Sequence, residues 1–108
     1  MKLAKLSDMT GGWFVGDFDP VIAHTKEFET AIKHYKKGQN EAKHYHVRGT
    51  EITVIVKGRA RMMDTEVSSG DIVLLEPGEA TGFEVLEDTI TCVVKFPSLT
   101  NDKFIVES

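Results

Sequence analysis

Nine short runs rich in β-branched or aromatic residues, most of them set off by turn formers, leave this chain little choice of architecture. They are Gly12–Phe18, Pro20–Thr25, Thr30–Lys37, Lys43–Val47, Glu51–Gly58, Arg59–Asp64, Asp71–Glu76, Gly82–Glu87 and Thr89–Phe96. Between them stand KGQNE, VRGT, SSGD, EPGE and LED, where glycine, proline and small polar residues favour turns. No stretch shows convincing helical periodicity, and only SDMT, Ser7–Thr10, reads as the opening of a short turn. Many short strands with regular turns predict an all-β sandwich or barrel. At 108 residues, with no repeat or linker, the expectation is one domain spanning 1–108.

The bulk numbers narrow the partners. A charged fraction of 28% and an apolar fraction of 41% are ordinary for a soluble globular protein. A net charge of −4, with no basic cluster denser than YKKG, argues against nucleic acid. Trp13 and Phe14 lack interleaved arginines, so they read as packing residues rather than a stacking platform. The opening MKLAKLSDMTGGW has no long apolar core, and no segment approaches membrane-spanning length, which predicts a cytoplasmic protein without a membrane partner. Cys92 is the single cysteine, excluding an internal disulfide, and within TITCVVKF it reads as a buried, inert thiol. From Ile52 to Val56 both strand faces carry β-branched side chains, predicting that both are covered. One face would meet the interior and the other a second sheet or a partner subunit, hence a homodimer.

Chemistry concentrates in KHYHVRGTE. On a strand His44 and His46 point to one face, while Lys43, Tyr45 and Val47 take the other. If the strands on either side of the RGT turn pair, Glu51 sits beside the two imidazoles. Two neutral nitrogen donors and a carboxylate suit a divalent transition metal. Tyr45 reads as packing, and one of Met62 and Met63 should face inward as an adaptable filler. Thr81 and Phe83 share a face, Asp71 reads as a turn residue, and Pro77-Gly78 reads as a tight turn.

The frame around the histidines is specific. Gly38, five residues, His44, one residue, His46, four residues, Glu51, six residues and Gly58 reproduce the first motif of the cupin superfamily. GDIVLLEPGEAT resembles the second, with Gly70, Asp71, Pro77 and Gly78 in place and Thr81 where that motif carries a histidine. The eleven residues Arg59–Ser69 between the motifs suit a minimal hairpin. The resemblance implies a cupin-type double-stranded β-helix, or jelly-roll, barrel with metal ligands His44, His46 and Glu51. Thr81, Phe83 and His34 are candidate pocket residues.

Thr81 leaves three arrangements open. An iron, manganese, nickel or zinc ion could keep three protein ligands and open positions; Glu79, His34 or His24 could supply a fourth; or the cavity could be metal-free. The corresponding functions are a metal-dependent enzyme acting on a small polar substrate, a metal-free cupin that binds or isomerises a carbohydrate or small acid, and a non-catalytic ligand binder. No catalytic residue is identifiable, and whether the chain is an enzyme stays undecided. A small-molecule ligand is common to all three.

Overall fold

The computed structural model describes residues 1–106. Two single-turn 3-10 helices, Leu6–Asp8 and Thr10–Gly12, precede eleven strands. These are β1 (Trp13–Gly16), β2 (Ala23–His24), β3 (Glu29–Tyr35), β4 (Asn40–His46), β5 (Thr50–Lys57), β6 (Arg59–Met62), β7 (Thr65–Ser68), β8 (Ile72–Leu75), β9 (Thr81–Val85), β10 (Thr89–Phe96) and β11 (Lys103–Ile105). They form a six-stranded sheet, β2-β1-β3-β10-β5-β8, facing a five-stranded sheet, β11-β4-β9-β6-β7. The all-β expectation is met. Among the described residues no helix is long and apolar enough to cross a membrane.

Alternation places the side chains. Along β10, Thr89, Thr91 and Val93 are buried inside, while Ile90, Cys92 and Val94 are only half-buried on the outer face. Cys92 is therefore not a core thiol. Register then lays inner residues side by side: Glu29, Lys95 and Glu51 form one row across β3, β10 and β5, and Lys33, Thr91 and Ile55 another. An apolar core of Ile55, Ala60, Met62, Val67, Leu75, Phe83 and Val85 fills one end of the barrel. The Glu29–Lys95–Glu51 row is left at the other. Burial of such side chains contributes about 1.5–3 kcal/mol for each large aliphatic or aromatic group. That holds the sheets together at one end and lets the other remain polar.

Three expectations are corrected. The strands before and after RGT do not pair: β4 pairs with β9 and β11, while β5 pairs with β10 and β8 in the opposite sheet. Glu51 therefore faces the histidines across the barrel rather than along a hairpin. The outer face of β5 is not covered by a second sheet, because Ile52 and Val54 are half-buried and Val56 is exposed beside Ile72 and Leu74 of β8. Finally, β7 and β11 were not among the anticipated runs. Val67 is the one buried residue of β7, β11 is exposed throughout, and each is an edge strand with little apolar pattern.

The link between motifs is the expected hairpin. Arg59 pairs with Ser68 and Met62 with Thr65, and the intervening Met63 and Asp64 both have positive φ, the pattern of a tight I′ turn. Met62 packs inward and Met63 is exposed. Gly58, which closes the first motif, has φ +100°, and an added Cβ would collide with the Asp88 carbonyl oxygen and with Thr89. Gly58→Ala should therefore destabilise the fold by about 2–4 kcal/mol through combined backbone strain and overlap. A chemical-denaturation midpoint unchanged from wild type would contradict that.

Candidate functional site

A one-residue irregularity builds the histidine strand. Glu41 of β4 pairs with Phe83 of β9, yet His44 pairs with Thr81, so three steps along β4 match two along β9. This bulge at Ala42–Lys43 turns Glu41 and His44 onto the same inner face, which regular alternation forbids. It also presents the Ala42 carbonyl oxygen to His44 Nδ1 at 2.8 Å. Beyond the bulge the strand is regular, and His44 and His46 are both buried, with ring centroids 5.5 Å apart. Tyr45 points the other way and stacks on Phe104.

The second constraint comes from Asp102. Its carboxylate accepts hydrogen bonds from the backbone N–H groups of Val47 (3.2 Å), Arg48 (3.1 Å) and Gly49 (2.9 Å), capping the crossing from β4 to β5. Its backbone carbonyl oxygen lies 3.1 Å from His46 Nδ1. Carbonyl oxygens only accept, so Nδ1 carries a proton in both histidines, and in the neutral form of each ring the lone pair is on Nε2. His46 Nε2 is buried without a hydrogen-bond partner and lies 3.9 Å from Glu51 Oε1. Burial lowers the His46 pKa, with the Lys95 charge acting in the same direction. Burial raises that of Glu51, against the opposing pull of Lys95 and His44.

His44, Glu51, Thr81 and Phe83 line a cavity of about 190 Å³. His46 lines a hollow of about 260 Å³ that shares Glu29, Lys95 and Lys103 with it. His34 is exposed on the outer face of β3 and lines neither, because alternation sends Lys33 and Tyr35 inward instead. Glu79 caps its own turn, accepting from Glu76 N, and His24 pairs at the surface with Asp17. The Thr81 hydroxyl is committed to the backbone, donating to Gly82 O (2.7 Å) and accepting from Met63 N (3.0 Å). Sequence reasoning gave no cavity role to Glu41, Lys33, Lys95 or Thr91, which also line the space. Tyr35 lines it too, its hydroxyl donating to Glu41 Oε1 at 2.5 Å. Burial and that hydrogen bond push the Tyr35 pKa far upward, so it remains a donor.

The donor chemistry fits a divalent ion. Two ligand bonds of roughly 2.1 Å at a tetrahedral angle place their donors about 3.4 Å apart, so His46 Nε2 and Glu51 Oε1, at 3.9 Å, would close by about half an ångström on a shared ion. The second-residue supports of both imidazoles are those that metal-ligating histidines use. The set is not closed: among the described residues no three His, Cys, Asp or Glu side chains already converge as one site.

Asp102 is tested through stability. Asp102→Ala should cost about 3 kcal/mol, since it leaves three inward N–H groups without their charged acceptor. Despite burial, those N–H groups hold the Asp102 pKa below the ordinary aspartate value. A depressed folded pKa contributes stability that is complete above the unfolded value and fades as pH falls through the folded one. The wild type should therefore lose this increment at acid pH, and Asp102→Asn should show a flatter acid limb in urea titrations. Equal acid dependence in both would show that the Asp102 carboxylate does not supply this increment.

No protein-family model matches the chain, and no curated protein sequence does. Solved structures do. A conserved double-stranded β-helix protein of Klebsiella pneumoniae superposes with TM-score 0.71 at 24% identity, over 78% of this chain and 74% of that one. An RmlC-like cupin of Desulfovibrio desulfuricans gives 0.61 at 18%, over 69% and 76%. Oxalate decarboxylase of Bacillus subtilis gives 0.64 at 18%, over 76% of this chain and 24% of that one. At these identities the likeness is one of fold. With its two facing sheets and its glycine-framed histidine strand, the chain has the cupin-type double-stranded β-helix fold of these structures.

Proposed function

We propose that this cupin binds a divalent transition metal on His44, His46 and Glu51 and presents it to a small polar ligand in the barrel cavity. The observation that carries this reading is the orphaned Nε2 of His46. A buried nitrogen lone pair without a partner costs about 1–3 kcal/mol, and a metal ion beside Glu51 removes that cost. When bound, such an ion supplies Lewis-acid polarisation of a ligand oxygen. The chain's own part is to fix Nδ1 of both imidazoles on backbone carbonyl oxygens, to bring Glu51 across from the opposite sheet, and to hold Glu41 in the cavity wall through the Tyr35 hydroxyl. Phe83 and Trp13 add apolar wall. The fold selects no reaction: oxalate decarboxylase shares it, and a shared fold transfers no chemistry by itself.

A metal-free ligand cavity is the second reading, favoured by the lack of a closed three-donor cluster. Elemental analysis of protein prepared without tag or chelator separates the two. About one equivalent of iron, manganese, nickel or zinc is expected, and lost in His46→Ala and Glu51→Gln while both stay folded. Protein that is empty and takes up no added metal would eliminate the metal reading. Thr81→His places a third imidazole opposite His44 and should tighten metal binding about tenfold or more. Unchanged affinity would mean that position 81 does not look onto the ion.

A further inference from the structure

Lys33 and Thr91 are direct partners across β3 and β10, both facing the cavity. Each lacks something. Lys33 is half-buried and forms no ion pair among the described residues. Its ammonium rests instead 5.3 Å from the centre of the Trp13 ring, a contact that substitutes weakly for an anion. Thr91 is 1% exposed, and its hydroxyl is the one other buried side-chain polar atom, besides His46 Nε2, without a partner among the described residues. Lys95, further along β10, brings a second ammonium to within 5.0 Å of the same ring centre.

The cavity's three carboxylates do not fill this deficit. Glu41 is held by the Tyr35 hydroxyl. Glu29 takes hydrogen bonds from Ser98 Oγ and Leu99 N and stands 3.8 Å from Lys95. Glu51 lies against His46. The lysine without an ion pair and the hydroxyl without a partner are therefore neighbours in one wall. They need the same complement, a negatively charged oxygen acceptor.

We propose that the cavity selects a small organic carboxylate, whose carboxylate group is received by the Lys33 ammonium and the Thr91 hydroxyl. This rests on the small-ligand cavity reading above and names its ligand class, but does not require the metal. About 190 Å³ is below the range of drug-sized pockets, which limits the ligand to a small molecule. A phosphate is the less suited anion, because neither helix N-terminus nor arginine fork lines the space among the described residues.

Trp13 is the chain's single tryptophan, so its fluorescence reports on the ring beside both ammonium groups. Metal-stripped and metal-reconstituted protein would each be titrated with acetate, malonate and glycerate. Their uncharged counterparts acetamide, malonamide and glycerol, and inorganic phosphate, would be run alongside. At least one carboxylate should bind saturably to metal-stripped protein and about tenfold or more tighter than its counterpart. Lys33→Met and Thr91→Val should each weaken it about tenfold. Thr91→Val removes a buried hydroxyl without a partner and Lys33→Met keeps the apolar stem of a half-buried side chain, so both should fold about as well as wild type, and circular dichroism checks that. Equal affinity for the uncharged molecules, preference for phosphate, indifference to either substitution in folded protein, or no saturable carboxylate binding would each overturn the assignment. The metal reading is judged separately by metal content, so the two can fail independently.

Discussion

One carboxylate ties the last described strand to the turn where the chain leaves one sheet for the other. Asp102 collects three consecutive N–H groups of Val47, Arg48 and Gly49 and offers its own carbonyl oxygen to His46. A crossing between sheets exposes backbone donors that no ladder can satisfy, and buried donors left unpaired are costly. By satisfying them with a charged acceptor, the segment before β11 fixes where β5 starts. That sets where Glu51 stands relative to His46. The site depends on this clamp more than on any contact inside the cavity.

The barrel divides its burden between its ends. Ile55, Phe83, Val85 and their neighbours supply apolar burial at one end. At the other, Glu29, Glu51, Lys95 and both histidines are withdrawn from water at an energetic cost. The raised pKa of Glu51 and the lowered pKa of His46 both follow mainly from that burial. A chain selected for stability alone would place apolar side chains there. Thr81 shows the opposite solution within the same cavity: its hydroxyl is fully engaged with Met63 and Gly82, so this corner is finished structurally.

The fold and the histidine strand were legible in the sequence because they rest on local rules. Period-two alternation oriented His44, His46, Thr81 and Phe83, and turn residues marked the hairpin between Gly58 and Gly70. What escaped has a physical reason in each case. Glu41 was hidden by the bulge, which reverses alternation between it and His44. Asp102 acts on residues more than fifty positions away and sits in a polar segment with no strand pattern. Pairing β4 with β5 looked natural because they are consecutive, but a short turn can also carry a chain from one sheet to the facing one. Lys33 belongs to no motif, and alternation along β3 with Thr91 of β10 as its partner sends it inward while His34 is exposed on the outer face.

The two partnerless buried atoms, His46 Nε2 and Thr91 Oγ1, give these features a common meaning. At about 1–3 kcal/mol each, they lower the stability of the unliganded fold by an amount that is sizeable for a small domain. The fold can carry that cost because its apolar end and the Asp102 clamp lie elsewhere. Any molecule that satisfies either atom binds only the folded chain, and its binding energy adds to folding in proportion to its occupancy. On the functions proposed above, the groups that weaken the fold are the groups that receive the ligands. Filling them with apolar substitutes would make a more stable protein with less to recognise.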